Sequence, residues 1–141
     1  MNLINKTILL MINYFSKYKF IFYLCNLILL LEYLYPGSLF GCIIFNNCTI
    51  QPQLTADFII STNHFYGFFI LSVVGFLTYI KANQIMYLSI YLIFLSFLLE
   101  IMHYVIPNRS FEYPDLFGNL TGVILPIVAR LILKKNENFK N

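Results

Sequence analysis

The sequence predicts an all-α, polytopic membrane protein with four transmembrane helices and both termini in the cytoplasm. Three observations predict it. Of the 141 residues, 60% are hydrophobic and only 11% charged, too few charges to cover a soluble domain of this size. The apolar residues fall into four runs near spanning length, separated by polar or Pro/Gly turns. Eight of the nine basic residues lie on the side that four spans would make cytoplasmic, as the bias toward positive inner loops requires.

The chain divides into a cytoplasmic N-terminal segment (1–19), a transmembrane domain (20–133) and a basic cytoplasmic tail (134–141). Residues 1–16 alternate apolar and polar positions, which suits a short interfacial helix or nothing ordered. The first span is 20–35, between Lys17/Lys19 and Pro36-Gly37. It lacks a small-x-small cleavage site, so it reads as a retained anchor rather than a signal peptide. The second span is 58–80, with His64 about two turns inside its outer end, and Lys81-Ala-Asn-Gln84 is the next turn. The third span is 85–106, stopped by Pro107. The fourth is 115–133, where Pro114 and Asp115 form a helix-start signal and Pro126 predicts a kink.

The N-terminus, the Lys81 turn and the C-terminal flank carry the basic residues. The 36–57 loop has none, and the turn before the fourth span has only Arg109. The net charge of +3 is thus membrane anchoring, and nucleic acid is excluded as a partner. Within the 36–57 loop, Leu39-Phe-Gly-Cys-Ile-Ile-Phe45 is too apolar to hang free in water. It should skim the membrane or fold back on the helices. Cys42 and Cys48 could close a small disulfide there, or stay as two partly buried thiols, because spacing alone shows no geometry. Cys25, mid-span, reads as packing.

Polar residues concentrate between Glu100 and Gly122. Ionisable groups at the edge of a span are costly to place and mark candidate functional positions. Topology gathers His64, Glu100, His103, Arg109, Asp115 and Asn119 at one outer depth, with Glu112 in the turn. A structural reading has Arg109 pairing with Glu100 or Asp115 while Asn119 bonds a neighbouring helix, which needs no function beyond holding the helices together. Gly118-Asn-Leu-Thr-Gly122 is a G-x-x-x-G, expected to pack within the chain on span two or three, where Gly67 and Gly75 offer partner surface. Glu100-Ile-Met-His103 is an E-x-x-H of the kind used in carboxylate metal sites, and His64 with Asp115 could complete a zinc site. The motif has no second copy and Arg109 would oppose a cation, so the expectation is no metal and no cofactor. No nucleophile triad, phosphate loop or dinucleotide fingerprint is present.

At these residues the chain resembles the VanZ-like family of small bacterial membrane proteins. The family pattern is a Glu at a span end, a polar residue three later, a Pro-x-Arg turn, then Asp and Asn leading into a Gly-containing span. Glu100, His103, Pro107, Arg109, Asp115, Asn119 and Gly122 match it in order and spacing, and His64-Phe65 matches the family's His-Phe. Ile60-Ser61 stand where the family has Asp-Lys, and His103 replaces its usual Gln. The resemblance covers roughly 58–126 and demotes Glu112. It implies a multi-pass protein of a bacterial cell membrane, in a family named for low-level teicoplanin resistance. Three functions compete. The cluster could bind an anionic or amphiphilic envelope molecule, act as an enzyme on a lipid-linked substrate, or serve as interhelical glue.

Overall fold

The computed structural model describes residues 3–57 and 59–138, and its described elements are all helices. They are α1 (Leu3–Lys17), α2 (Phe20–Leu34), α3 (Leu39–Phe45), α4 (Thr62–Thr78), α5 (Ala82–Met102) and α6 (Tyr113–Asn138). Phe58, where the second span was expected to begin, lies outside the described residues, as do Met1, Asn2 and the last three residues of the tail.

Asn83–Met102 and Tyr113–Leu133 are long and apolar enough to cross a membrane. The helices α1 and α2 meet that requirement only jointly, across a 77° bend at Tyr18-Lys19, while α4 is a shorter apolar helix. The expected interfacial segment is thus a helix, set at an angle to the apolar α2. Leu24, Leu27 and Leu31 on α2, Ile90 and Phe94 on α5, and Leu125 and Leu131 on α6 are exposed. So much apolar surface around a small bundle is stable against hydrocarbon and a liability in water.

The core explains which faces turn inward. On α5, Leu88, Leu92, Leu95 and Leu99 are buried at spacings of four, three and four, a single helical stripe. They meet Phe22 and Leu29 of α2, Phe68, Leu71 and Phe76 of α4, and Val123 of α6. The central helix is α4, which touches α1, α2, α5 and α6 and packs most extensively on α6.

The G-x-x-x-G accounts for that close packing. A Cβ at Gly118 would sit 2.5 Å from the Ser61 carbonyl oxygen, and one at Gly122 would sit 2.6 Å from that of Phe65. The small residues therefore face α4, but not where expected. Gly67 lies against Leu29, and Gly75 against Leu88 and Phe22. Gly118 and Gly122 meet the α4 backbone near its start because the two helices begin together, tied by Ser61 N–H donating to the Pro114 carbonyl at 3.1 Å.

Helix ends differ from expectation for local reasons. The helix α4 starts at Thr62, later than the expected 58, because Asp57 folds over it, accepting from the Thr62 N–H at 2.7 Å and its hydroxyl at 3.0 Å. This carboxylate satisfies an otherwise unpaired first-turn amide. The helix α5 stops at Met102, not at the expected 106. Tighter turn bonds take over, with Tyr104 N–H donating to the Ile101 carbonyl at 3.1 Å, and Pro107 disfavours helix at Ile106. The helix α6 starts at Tyr113, with Pro114 in its first turn, and runs on to Asn138.

The apolar stretch 39–45 is α3, whose Gly41 packs on the loop at Asn47 and Ile50 while Phe40, Ile43, Ile44 and Phe45 stay exposed. Ser38 caps it by accepting from Gly41 N–H at 3.0 Å, and Asn46 ends it in the left-handed region at φ 51°. Cys42 and Cys48 form a disulfide across this turn. Asn63 of α4 straps down the following strand of loop, donating to the Pro52 carbonyl at 2.8 Å and accepting from Leu54 N–H at 3.1 Å. Closing so short a loop contributes about 2 kcal/mol to local order. Cys42→Ser is therefore expected to speed proteolysis between residues 38 and 57 while leaving the helical circular dichroism unchanged. Equal cleavage with and without reductant would count against a bridge that matters.

Candidate functional site

The ends of α2 and α5 and the starts of α4 and α6 meet at one end of the bundle, and every sequence-predicted site residue lies there. His64 is the third residue of α4, in its first turn rather than two turns in, because the helix starts late. Glu100 is in the last turn of α5, and His103 is its C-cap. Arg109 is in the connecting turn, where Asn108 takes φ 60° directly after Pro107. Asp115 and Asn119 are one turn apart at the start of α6. Glu100 and Asn119 are fully buried, and His64 and His103 nearly so.

His64 is the centre of the cluster. Its Nε2 is 3.3 Å from Asp115 Oδ2, and its Nδ1 is 3.8 Å from Glu100 Oε2. Glu100 Oε1 lies 3.4 Å from His103 Nδ1 and accepts the Glu112 N–H at 3.0 Å. The Glu100 carboxylate thus sits at the positive N-terminal end of α6, a favourable place for an anion. Glu100 Oε2 is buried with no hydrogen-bond partner. This is why Glu112, demoted on sequence, still matters through its backbone amide.

A residue that sequence reasoning passed over organises the rest. Tyr33 of α2 is buried, and its hydroxyl donates to Asn119 Oδ1 and lies 3.1 Å from His64 Nδ1. The orientation of Asn119 follows from its other contact, since its Nδ2 donates to the Ser96 carbonyl at 3.4 Å. A backbone carbonyl only accepts, so Oδ1 must face Tyr33. The single Tyr33 proton is then committed to Asn119, and His64 Nδ1 must donate to the Tyr33 oxygen. A neutral His64 therefore turns the lone pair of Nε2 toward the carboxylate of Asp115. His103 stacks on the Tyr33 ring at 5.7 Å, and its Nε2 lies 3.3 Å from the Tyr33 carbonyl.

Arg109 does not pair with Glu100 or Asp115. It donates from Nη2 to the Glu32 carbonyl at 2.9 Å and from Nε to the Tyr35 carbonyl at 3.5 Å. These are carbonyls at the C-terminal end of α2, where a cation is favoured and the last carbonyls lack helical partners. Burial pulls the guanidinium below its ordinary value, but that value is so high that Arg109 stays charged. Arg130 serves the other end of the bundle alike, donating to the carbonyls of Phe76 and Ile80 at the end of α4.

Two cavities meet at Arg109. The larger, about 530 Å³, runs between α2, α3, the loop and α4. Ile28, Leu29, Ile70 and Leu71 make it apolar along its length, and Glu32, His64 and Arg109 form a polar end. The smaller, about 250 Å³, is lined by polar groups including Thr49, Ser110, Glu112 and Asp115. Ser38, Gln51 and Arg109 border both. Glu32 could have been found from sequence, as the lone ionisable residue of an otherwise apolar run, by the rule that drew attention to Glu100. No sequence signal marks Tyr33, Ser38 or Gln51.

Comparison of the chain with protein-family models, with curated proteins and with solved structures gives no match.

Proposed function

We propose that this is a multi-pass protein of a bacterial cell membrane, VanZ-like in character, whose outward polar cluster binds an amphiphilic envelope molecule. In this reading α2, α4, α5 and α6 are the four crossings, and the basic residues place both termini in the cytoplasm. The site end of the bundle then faces outward.

The observation that carries the reading is the junction of the two cavities. An apolar chain fits the larger, which lies in the usual size range of ligand pockets and is bordered by Ile28, Leu29, Ile70 and Leu71. A polar or phosphorylated head fits the smaller, beside the planar donors of Arg109. Full-length protein in lipid nanodiscs should bind a polyprenyl phosphate, and Arg109→Ala should weaken binding roughly tenfold to a hundredfold, the worth of a hydrogen bond to a charged group. Ile70→Trp, which fills the apolar cavity without touching Arg109, should weaken it as well. Wild-type binding by both variants would end this reading. Stable variants that no longer bind would count against the cluster being interhelical glue alone. Altered teicoplanin susceptibility in cells expressing wild-type protein but not Arg109→Ala would connect the site to the phenotype for which the VanZ-like family is named.

One observation favours a catalytic alternative. His64 lines the larger cavity and keeps the lone pair of Nε2 free of a proton, the atom that a general base would use. Turnover of a labelled polyprenyl diphosphate, lost in His64→Gln, would favour it over binding alone.

A further inference from the structure

The polarity of the buried cluster does not balance as it stands. Asn119 fixes the Tyr33 proton and Tyr33 fixes the Nδ1 proton of His64, so neutral His64 presents a lone pair from Nε2 to Asp115 Oδ2 at 3.3 Å. Next to the same ring, Glu100 Oε2 is fully buried, without a hydrogen-bond donor, and 3.8 Å from Nδ1. With both histidines neutral, two carboxylates and an imidazole acceptor face one another, and a cation or an added proton is needed between them. A buried charge without a partner costs several kcal/mol. The cation in the neighbourhood, Arg109, is turned to the carbonyls of α2.

We propose that His64, Glu100 and Asp115 hold a divalent transition-metal ion. Each offers one ligand atom within 4.8 Å of the other two. Zinc with nitrogen and oxygen ligands at about 2.0–2.2 Å wants them roughly 3.3–3.6 Å apart. The pair His64 Nε2 and Asp115 Oδ2 already has that spacing, and the Glu100 ligand atom, within 4.8 Å of both, moves closer on binding. One imidazole with two carboxylates suits zinc or manganese. The outer shell is in place, since a ligating histidine needs its second nitrogen held by an acceptor, and Tyr33 supplies it through Asn119 and the Ser96 carbonyl. His103 and the Glu112 amide orient the other oxygen of Glu100.

This departs from the sequence expectation of no metal, which set Arg109 against a cation. The contacts of Arg109 with α2 remove that objection. Three protein ligands also leave a coordination position for water or a ligand oxygen. Asp115 borders the smaller cavity and His64 the larger, so that position lies where the two meet. With the ion neutralising both carboxylates, Arg109 leaves the junction positive and able to take a phosphate. This last consequence rests on the proposed function; the metal site itself does not.

The test uses full-length, untagged protein, stripped with chelator in detergent and titrated with Zn²⁺ or Mn²⁺ alone. We expect one ion per chain with a Kd of about 1 µM or tighter. Asp115→Asn should weaken binding at least tenfold, and Tyr33→Phe roughly tenfold through the lost outer-shell partner. Should a variant fail to fold, wild-type protein loaded with Mn²⁺ should still show imidazole nitrogen coupling in pulsed electron paramagnetic resonance. Absence of 1:1 binding, absence of that coupling, or unchanged affinity in folded Asp115→Asn would each overturn the site. Polyprenyl phosphate binding measured separately, with and without chelator, shows whether the lipid reading fails on its own.

Discussion

Gly122→Leu is expected to prevent α4 and α6 from packing and to leave little folded protein. A Cβ at Gly122 would meet the Phe65 carbonyl oxygen at 2.6 Å, the Phe69 nitrogen at 2.9 Å and Phe68 Cβ at 3.0 Å. Two of these are backbone atoms inside a helix and cannot rotate aside. Overpacking of this kind costs about 3 kcal/mol or more where backbone must move, a large share of the stability of a small domain. The loss would reach the site, since the same helix pair sets His64 against Asp115. Gly67→Ala is the matched control. Its new Cβ would meet the flexible end of Leu29 at 3.3 Å, so a shift of a few tenths of an ångström suffices. Monodisperse yield in one detergent, followed by thermal unfolding, compares the two. Equal yield and melting for Gly122→Leu and wild type would show that this interface does not hold the bundle.

Asn119→Leu should carry the second large effect, a destabilisation of about 1–3 kcal/mol from the buried Tyr33 hydroxyl losing its acceptor. Asn119 is fully buried, accepts the Tyr33 proton through Oδ1 and donates through Nδ2 to the Ser96 carbonyl. Leucine has similar bulk but leaves the Tyr33 proton without its acceptor in a buried region, while the Ser96 carbonyl keeps its helical bond. Asn119→Asp removes the donor to the Ser96 carbonyl and adds a buried negative charge, so it should destabilise at least as much. Thr121→Ala, two residues on and exposed, should stay within about 0.5 kcal/mol of wild type. If Asn119→Leu melts like Thr121→Ala, the network through Tyr33 contributes nothing, and the proton assignment behind the metal site loses its support.

Much of the candidate site was legible because the apolar background is so uniform. A polar residue in such a chain needs a reason, and His64, Glu100, Arg109, Asp115 and Asn119 stood out on that ground alone. The partners were harder to read. The structural reading of the sequence paired Arg109 with Glu100 or Asp115 because opposite charges attract, whereas the guanidinium serves the carbonyls ending α2, which only the relative placement of α2 and the 103–112 turn brings within reach. The G-x-x-x-G was assigned correctly to packing within the chain, but its partner surface was sought at other glycines. The α4 backbone itself is the partner, because Ser61 and Pro114 tie the two helix starts together.

By itself the sequence determined the helical, membrane-suited character of the chain, the approximate limits of its apolar helices, and which polar residues would be forced together. These follow from local composition and from the cost of placing charge near hydrocarbon, both readable along the chain. Only the tertiary structure decided that Tyr33 orients His64, that Glu100 keeps one oxygen without a donor, and that an apolar and a polar cavity meet at Arg109. Hydrogen-bond direction and cavity shape depend on where helices distant in sequence come to lie against one another, and periodicity along a single helix carries no record of that.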